Sequence, residues 1–258
     1  MTIESGLSPW LARTQPNPQA SLRLFCFPYA GGGATIYHSW PASLPPSVEV
    51  CGIQLPGRGS RLKEKPYTRA SPLIESLAVE MAPYLDRPFA FFGHSLGAMI
   101  SFELAHRLRG ERGLEPAHLF VSGRRAPQLP KPDRDIYQLP EPEFIEQLRR
   151  LNGTPREVLE HPELMGVMIP SLRADFEMSE TYVYSARPPL RCPITALGGL
   201  EDEEVTRPDL EAWRAQTSGP FSLRLLPGDH FFLHSSKSVI LQLISRGLDE
   251  AVRAPDHR

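Results

Sequence analysis

The pentapeptide Gly93-His94-Ser95-Leu96-Gly97 stands between an apolar run, Pro88 to Phe92, and a helical pattern over Ala98 to Leu108. A strand that becomes a helix within so few residues must turn sharply. The turn strains the backbone of its central residue and pushes that side chain into the open, while glycines on either side keep Cβ atoms away from neighbouring chain. The same motif without strand and helix around it would carry little weight; in this setting it reads as a nucleophile elbow.

The strand-helix step recurs along the chain. Leu22 to Phe27 forms an apolar run ending at Pro28 and the glycines Gly31 to Gly33, and Val48 to Leu55 stops at Pro56-Gly57. Over Pro72 to Leu85, residues Leu73, Leu77, Met81 and Leu85 recur at helical spacing, with Ser71 placed as N-cap and Pro72 at the first helical position. Further strands are expected at Phe89 to Phe92, Leu119 to Ser122, Ile194 to Leu197 and Phe221 to Leu226, with helices around Leu210 to Ala215 and from about Ser236 to Val252. Strands that are apolar throughout, alternating with helices, predict a mostly parallel sheet covered by helices on both faces. A chain of 258 residues fits one such domain, 1–258. Roughly seventy residues separate Gly123 from Pro193, far more than a crossover needs. Helical patterns at Pro142 to Leu151 and Glu163 to Glu180 predict an inserted helical lid at approximately 130–189. Leu164, Met168, Leu172 and Phe176 recur there at helical spacing, either to line a channel beneath the lid or to pack the lid onto the core.

Several function classes are disfavoured. The formal net charge is -2 with both signs mixed along the chain, which gives a polyanion such as nucleic acid nothing to bind. The opening twenty residues lack a basic stretch followed by an apolar run, and there is no run of eighteen apolar residues, so neither export nor membrane spanning is expected. Cys26, Cys51 and Cys192 each fall in a strand-like run and read as buried free thiols in a reducing cytoplasm. No H-E-x-x-H or paired C-x-x-C occurs, so no metal is expected. A dinucleotide fingerprint would need glycine where Ile36 stands, so no cofactor is expected either.

A serine hydroxyl attacks only when a base removes its proton, and histidine suits the task near neutral pH. Of eight histidines, His230 follows the last strand and precedes the last helix, completing the chain order serine, acid, histidine. His94 lies beside the nucleophile but faces elsewhere, as a packing or hydrogen-bonding neighbour. His38, His106, His118, His161, His234 and His257 have structural roles by default. The acid is expected after the penultimate strand, where Glu201-Asp202-Glu203-Glu204 offers four carboxylates. Asp202 is preferred, Glu201 is held in reserve, Glu203 and Glu204 read as solvated, and Asp229 as a turn residue. Backbone N–H groups would stabilise the oxyanion, one from Leu96 after the nucleophile and one from Ala30 in the glycine-rich loop.

These residues resemble the stand-alone type II thioesterases that accompany polyketide synthases and nonribosomal peptide synthetases. The resemblance rests on Phe27 to Gly32, Gln54 to Arg58 with Arg61, Gly93 to Ala98, Leu172 to Asp175, Ala196 to Asp202 and Gly228 to Phe232, and covers about residues 20–248. It implies the α/β-hydrolase fold, with Ala30 at the second oxyanion position and Asp202 as the catalytic acid. It further implies hydrolysis of acyl groups from the phosphopantetheine arm of acyl or peptidyl carrier protein domains. The chain begins at Met1 with no carrier domain, so a chain-releasing cyclase fused to the end of a synthase is not expected. A monomer is expected, although no residue pattern fixes the oligomeric state. A serine esterase or acyltransferase on the same fold, and an inactive hydrolase-like binding module, remain open at this point.

Overall fold

A computed structural model describes residues 8–13, 16–130, 135–154 and 156–253; His257 and the first seven residues lie outside it. Its strands are β1 (Leu11–Ala12), β2 (Leu22–Phe27), β3 (Val48–Ile53), β4 (Phe89–His94), β5 (Leu119–Ser122), β6 (Ile194–Gly199) and β7 (Phe221–Leu226). They form one sheet in the order β1-β3-β2-β4-β5-β6-β7. Every pairing is parallel except that of β1, which runs antiparallel along β3. The helices are α1 (Ala70–Met81), α2 (Leu96–Arg112), α3 (Glu141–Leu151), α4 (Arg156–Leu159), α5 (Pro162–Thr181), α6 (Arg207–Glu211), α7 (Phe232–Ser235) and α8 (Lys237–Arg253).

The continuous apolar strands are explained by burial on both faces. Along β2, Phe25 and Phe27 join a core with Leu73 and Leu77 of α1 and Ile100 and Leu104 of α2. The alternate residues Leu22, Leu24 and Cys26 join another with Ile240, Leu241 and Ile244 of α8. Side chains two apart share a face, so one strand feeds both layers. Between β5 and β6 lie α3, α4 and α5, which have a small core of their own built on Phe144, Leu148, Met165, Ile169 and Leu172. This inserted segment is the expected lid.

Three local expectations are corrected. Helix α1 begins at Ala70 with Arg69 as its N-cap and without a capping side chain, so Ser71 is already the second helical residue. Proline is tolerated through the first turn because those N–H groups have no helical partner, which leaves its position a loose guide to the helix start. The strand at Val48 ends at Ile53, two residues early. The last helix runs where it is expected, as α8, with the short α7 ahead of it. Cys192 lies ahead of β6 instead of inside it, although all three thiols are free and buried.

Candidate active site

The elbow between β4 and α2 has the geometry its sequence demands. Ser95 has φ 52° and ψ -114°, one of two non-glycine residues with positive φ among those described. Such a conformation costs on the order of 1–3 kcal/mol and persists because the surroundings hold it. The Ser95 N–H donates to the Ser122 carbonyl at 2.8 Å, and its own carbonyl accepts from Ala98 at 3.0 Å. A Cβ on Gly93 would come within 2.2 Å of the Gly97 carbonyl oxygen, and one on Gly97 within 2.1 Å of that of Phe27. Both glycines are therefore packing requirements between backbones.

Three side chains from three loops meet here. The Nε2 atom of His230 lies 3.1 Å from Ser95 Oγ, and its Nδ1 lies 2.9 Å from Asp202 Oδ2. The Asp202 carboxylate is fully buried, and its other oxygen accepts the N–H groups of Glu204 at 2.8 Å and Val205 at 3.1 Å. The acid and histidine loops are joined by backbone bonds, Leu200 N–H to Leu226 and Glu201 N–H to Gly228. Gly199 permits this approach, since a Cβ there would meet the Gly228 carbonyl at 2.4 Å. Glu201 points away from the histidine and accepts the Gly228 N–H at 2.6 Å. Asp229 caps the turn by accepting from Phe231 N–H at 2.8 Å.

His94 is fully buried behind His230, with ring centroids 5.4 Å apart and Nδ1 2.9 Å from Ser122 Oγ. Burial, with His230 close by, pushes it well below the usual histidine range, so it is neutral at pH 7. His118 and His106 are likewise buried, whereas His234 lies 3.1 Å from the Tyr29 hydroxyl.

Ser95, His230, Ala30 and Leu96 all line a cavity of about 540 Å³. The lid contributes Leu148, Leu172 and Phe176 to its wall. Of the other two lid residues in that helical pattern, Met168 packs in the lid core, and Leu164, at 46% exposed, does neither. Glu204, read as solvated, is a cavity residue. Tyr29, Phe231 and Arg124 also line the cavity without having been singled out. Arg124 follows β5 and reaches across to Ser179 of α5 at 2.7 Å, and burial lowers its guanidinium to about 10. Among the described residues no group of His, Cys, Asp and Glu side chains is arranged to hold a metal, and no helix is long and apolar enough to cross a membrane.

A parallel sheet with a serine elbow, facing histidine and acid loops at the ends of its last two strands, defines the α/β-hydrolase fold. The chain matches the Thioesterase domain model over residues 22–247, and it belongs to that family of hydrolytic enzymes. It is 48% identical over 248 residues to the gramicidin S biosynthesis protein GrsT of Aneurinibacillus migulanus, covering 96% of this chain and 97% of that one. Among solved structures it is similar to the type II thioesterase BorB from the borrelidin biosynthetic cluster, with TM-score 0.88 and 37% identity, covering 95% of this chain and all of BorB. YbtT, a type II thioesterase from the yersiniabactin NRPS/PKS pathway, gives TM-score 0.82 at 31% identity, with 94% and 99% covered.

Proposed function

We propose that the chain is an editing thioesterase that hydrolyses acyl thioesters from the phosphopantetheine arm of acyl or peptidyl carrier protein domains. The observation that carries this reading is the hydrogen-bonded line Ser95, His230, Asp202 opening into a lid-covered cavity. The biosynthetic settings of GrsT, BorB and YbtT support the choice of substrate.

In this mechanism Asp202 accepts the Nδ1–H of His230, which fixes the tautomer whose Nε2 is a free base. Nε2 takes the Ser95 proton as Oγ attacks the thioester carbonyl. The N–H groups of Leu96 and Ala30 hold the resulting oxyanion, helped by the positive end of α2. Collapse breaks the C–S bond, the imidazolium protonates the departing thiolate, and an acyl-serine remains. Water then attacks by the same route, releasing the free acid and restoring Ser95. No cofactor takes part, and the work is placed in the cytoplasm with the synthase.

The decisive experiment loads a carrier protein with a series of acyl groups and follows their release by intact-protein mass spectrometry, beside matched oxygen esters. Release from the carrier with the Ser95→Ala variant inactive is the expected outcome. Faster turnover of the oxygen esters would make the chain an esterase.

A further inference from the structure

Two stretches that carry the family resemblance, Gln54 to Arg58 with Arg61 and Leu172 to Asp175, contribute nothing to the triad. They converge on the loop that holds Ala30. Asp175, on lid helix α5, is 1% exposed; its Oδ2 accepts the Gly31 N–H at 2.7 Å. The same carboxylate is gripped by both Nη atoms of buried Arg58, at 2.5 and 2.8 Å, and Arg58 Nη1 also reaches the Gly32 carbonyl at 3.3 Å. Gln54 extends the scaffold, accepting the Ala34 N–H at 3.1 Å and donating to the Arg58 carbonyl at 2.9 Å. Arg61 donates to the Gln54 carbonyl at 3.0 Å. Lid and loop are in direct contact as well, since a Cβ on Gly31, at φ +76°, would lie 2.5 Å from Leu172 Cδ2.

A buried ion pair adds little net stability, because desolvation offsets most of the attraction. A bidentate fork nevertheless fixes direction. Here the carboxylate holds a donor of the loop and the guanidinium holds the next acceptor, and Gly32 N–H closes a turn onto Tyr29 at 2.9 Å. The Gly31 N–H is thereby occupied, and the Tyr29–Ala30 peptide, which carries the Ala30 N–H, is held at its carbonyl by Gly32. We infer that Arg58 and Asp175 are positioning residues for the oxyanion site: through Gly31 and Gly32 they hold the Ala30 N–H on its target and make its alignment depend on the seating of lid helix α5. This rests on the proposed role of Ala30 in thioester hydrolysis.

The test compares Asp175→Ala, Asp175→Asn, Arg58→Met and Arg58→Lys with the parent, measuring kcat and KM on an acyl-pantetheine thioester. Affinity for an alkyl boronic acid, whose tetrahedral serine adduct needs the oxyanion donors, is measured in parallel. Small displacements of a catalytic donor cost on the order of ten- to hundredfold, and kcat should fall by that factor in Asp175→Ala and Arg58→Met while KM stays within about twofold. Boronate affinity should fall in step. Asp175→Asn, which keeps an acceptor for Gly31, should recover part of both. Variants with native far-ultraviolet circular dichroism but unchanged boronate affinity, or with a loss confined to KM, overturn the inference. If the two larger changes prevent folding, Asp175→Asn and Arg58→Lys decide it by the same readouts. Ser95-dependent turnover of the parent separates failure of this inference from failure of the thioesterase mechanism.

Discussion

The side-chain amide of Asn152, at the end of lid helix α3, donates to Asp229 Oδ2 at 2.9 Å, and Asp229 immediately precedes His230. Asn152 is left-handed, with φ 57°, and Gly153 behind it has no room for a Cβ, which would sit 2.2 Å from the Phe231 ring. The lid thus grips the histidine loop as well as the loop that holds Ala30. Asn152→Asp is nearly isosteric and sets a second carboxylate against Asp229. It should lower turnover about tenfold in dilute buffer, and the loss should shrink as salt approaches about 1 M, where such repulsion is screened. Steady-state rates across ionic strength check this; a loss indifferent to salt would mean that repulsion is not the cause.

Ser95→Ala should lose on the order of a millionfold in turnover. Asp202→Asn keeps the geometry but favours the wrong imidazole tautomer, for a loss of about 10⁴. Glu201→Gln retains an acceptor for Gly228 and should change turnover less than Asp202→Asn by orders of magnitude. The reverse ranking would move the acid to Glu201.

The wall of the cavity separates two kinds of lid residue. Phe176→Ala enlarges the cavity and should shift preference toward longer or bulkier acyl groups, whereas Leu164→Ser, on the exposed side of the same helix, should not. A panel of acyl-pantetheine thioesters distinguishes them. Equal profiles for both variants would remove the lid from substrate selection.

Acid should unfold the protein through its histidines before its carboxylates. Burial lowers His94 well below the ordinary value, His118 to about 4 and His106 to about 3. Each stays neutral in the folded state while the unfolded chain binds a proton below about pH 6.5, so stability is unaffected above that pH and falls beneath it. Three such groups give a limiting slope of about 4 kcal/mol per pH unit between about pH 6 and 5, before the unfolded chain begins to protonate carboxylates such as Glu49 and Asp209, whose folded forms are held low by Arg23, Thr206 and Arg125. His118 lies 2.8 Å from Thr195 Oγ1 and stacks on Phe120, so His118→Gln should reduce that slope by about one proton. Urea unfolding at a series of pH values measures it; an unchanged slope would mean that His118 is protonated in the native state.

Much of the sheet was readable because its strands are apolar on both faces and end at glycine or proline. β1 was not, since two residues, Leu11 and Ala12, cannot display a period. The elbow and the loops bearing Asp202 and His230 stood out because each follows a strand. The contacts that join lid to site left no such trace. Arg58 and Asp175 are 117 residues apart, and neither lies in a pattern that names the other. Glu204 looked like one more surface acid in a run of four, and only the course of its loop brings it to the cavity.

The glycines that flank Ser95 have a bearing on inheritance. Gly93 touches the backbone of Gly97, and Gly97 touches that of Phe27, so a methyl group at the first would force the elbow open and one at the second would push it off the end of β2. No single substitution there has a nearby neutral alternative. Exposed lid positions such as Leu164 and Val167 can accept change one residue at a time, while the elbow has room for no side chain at either glycine.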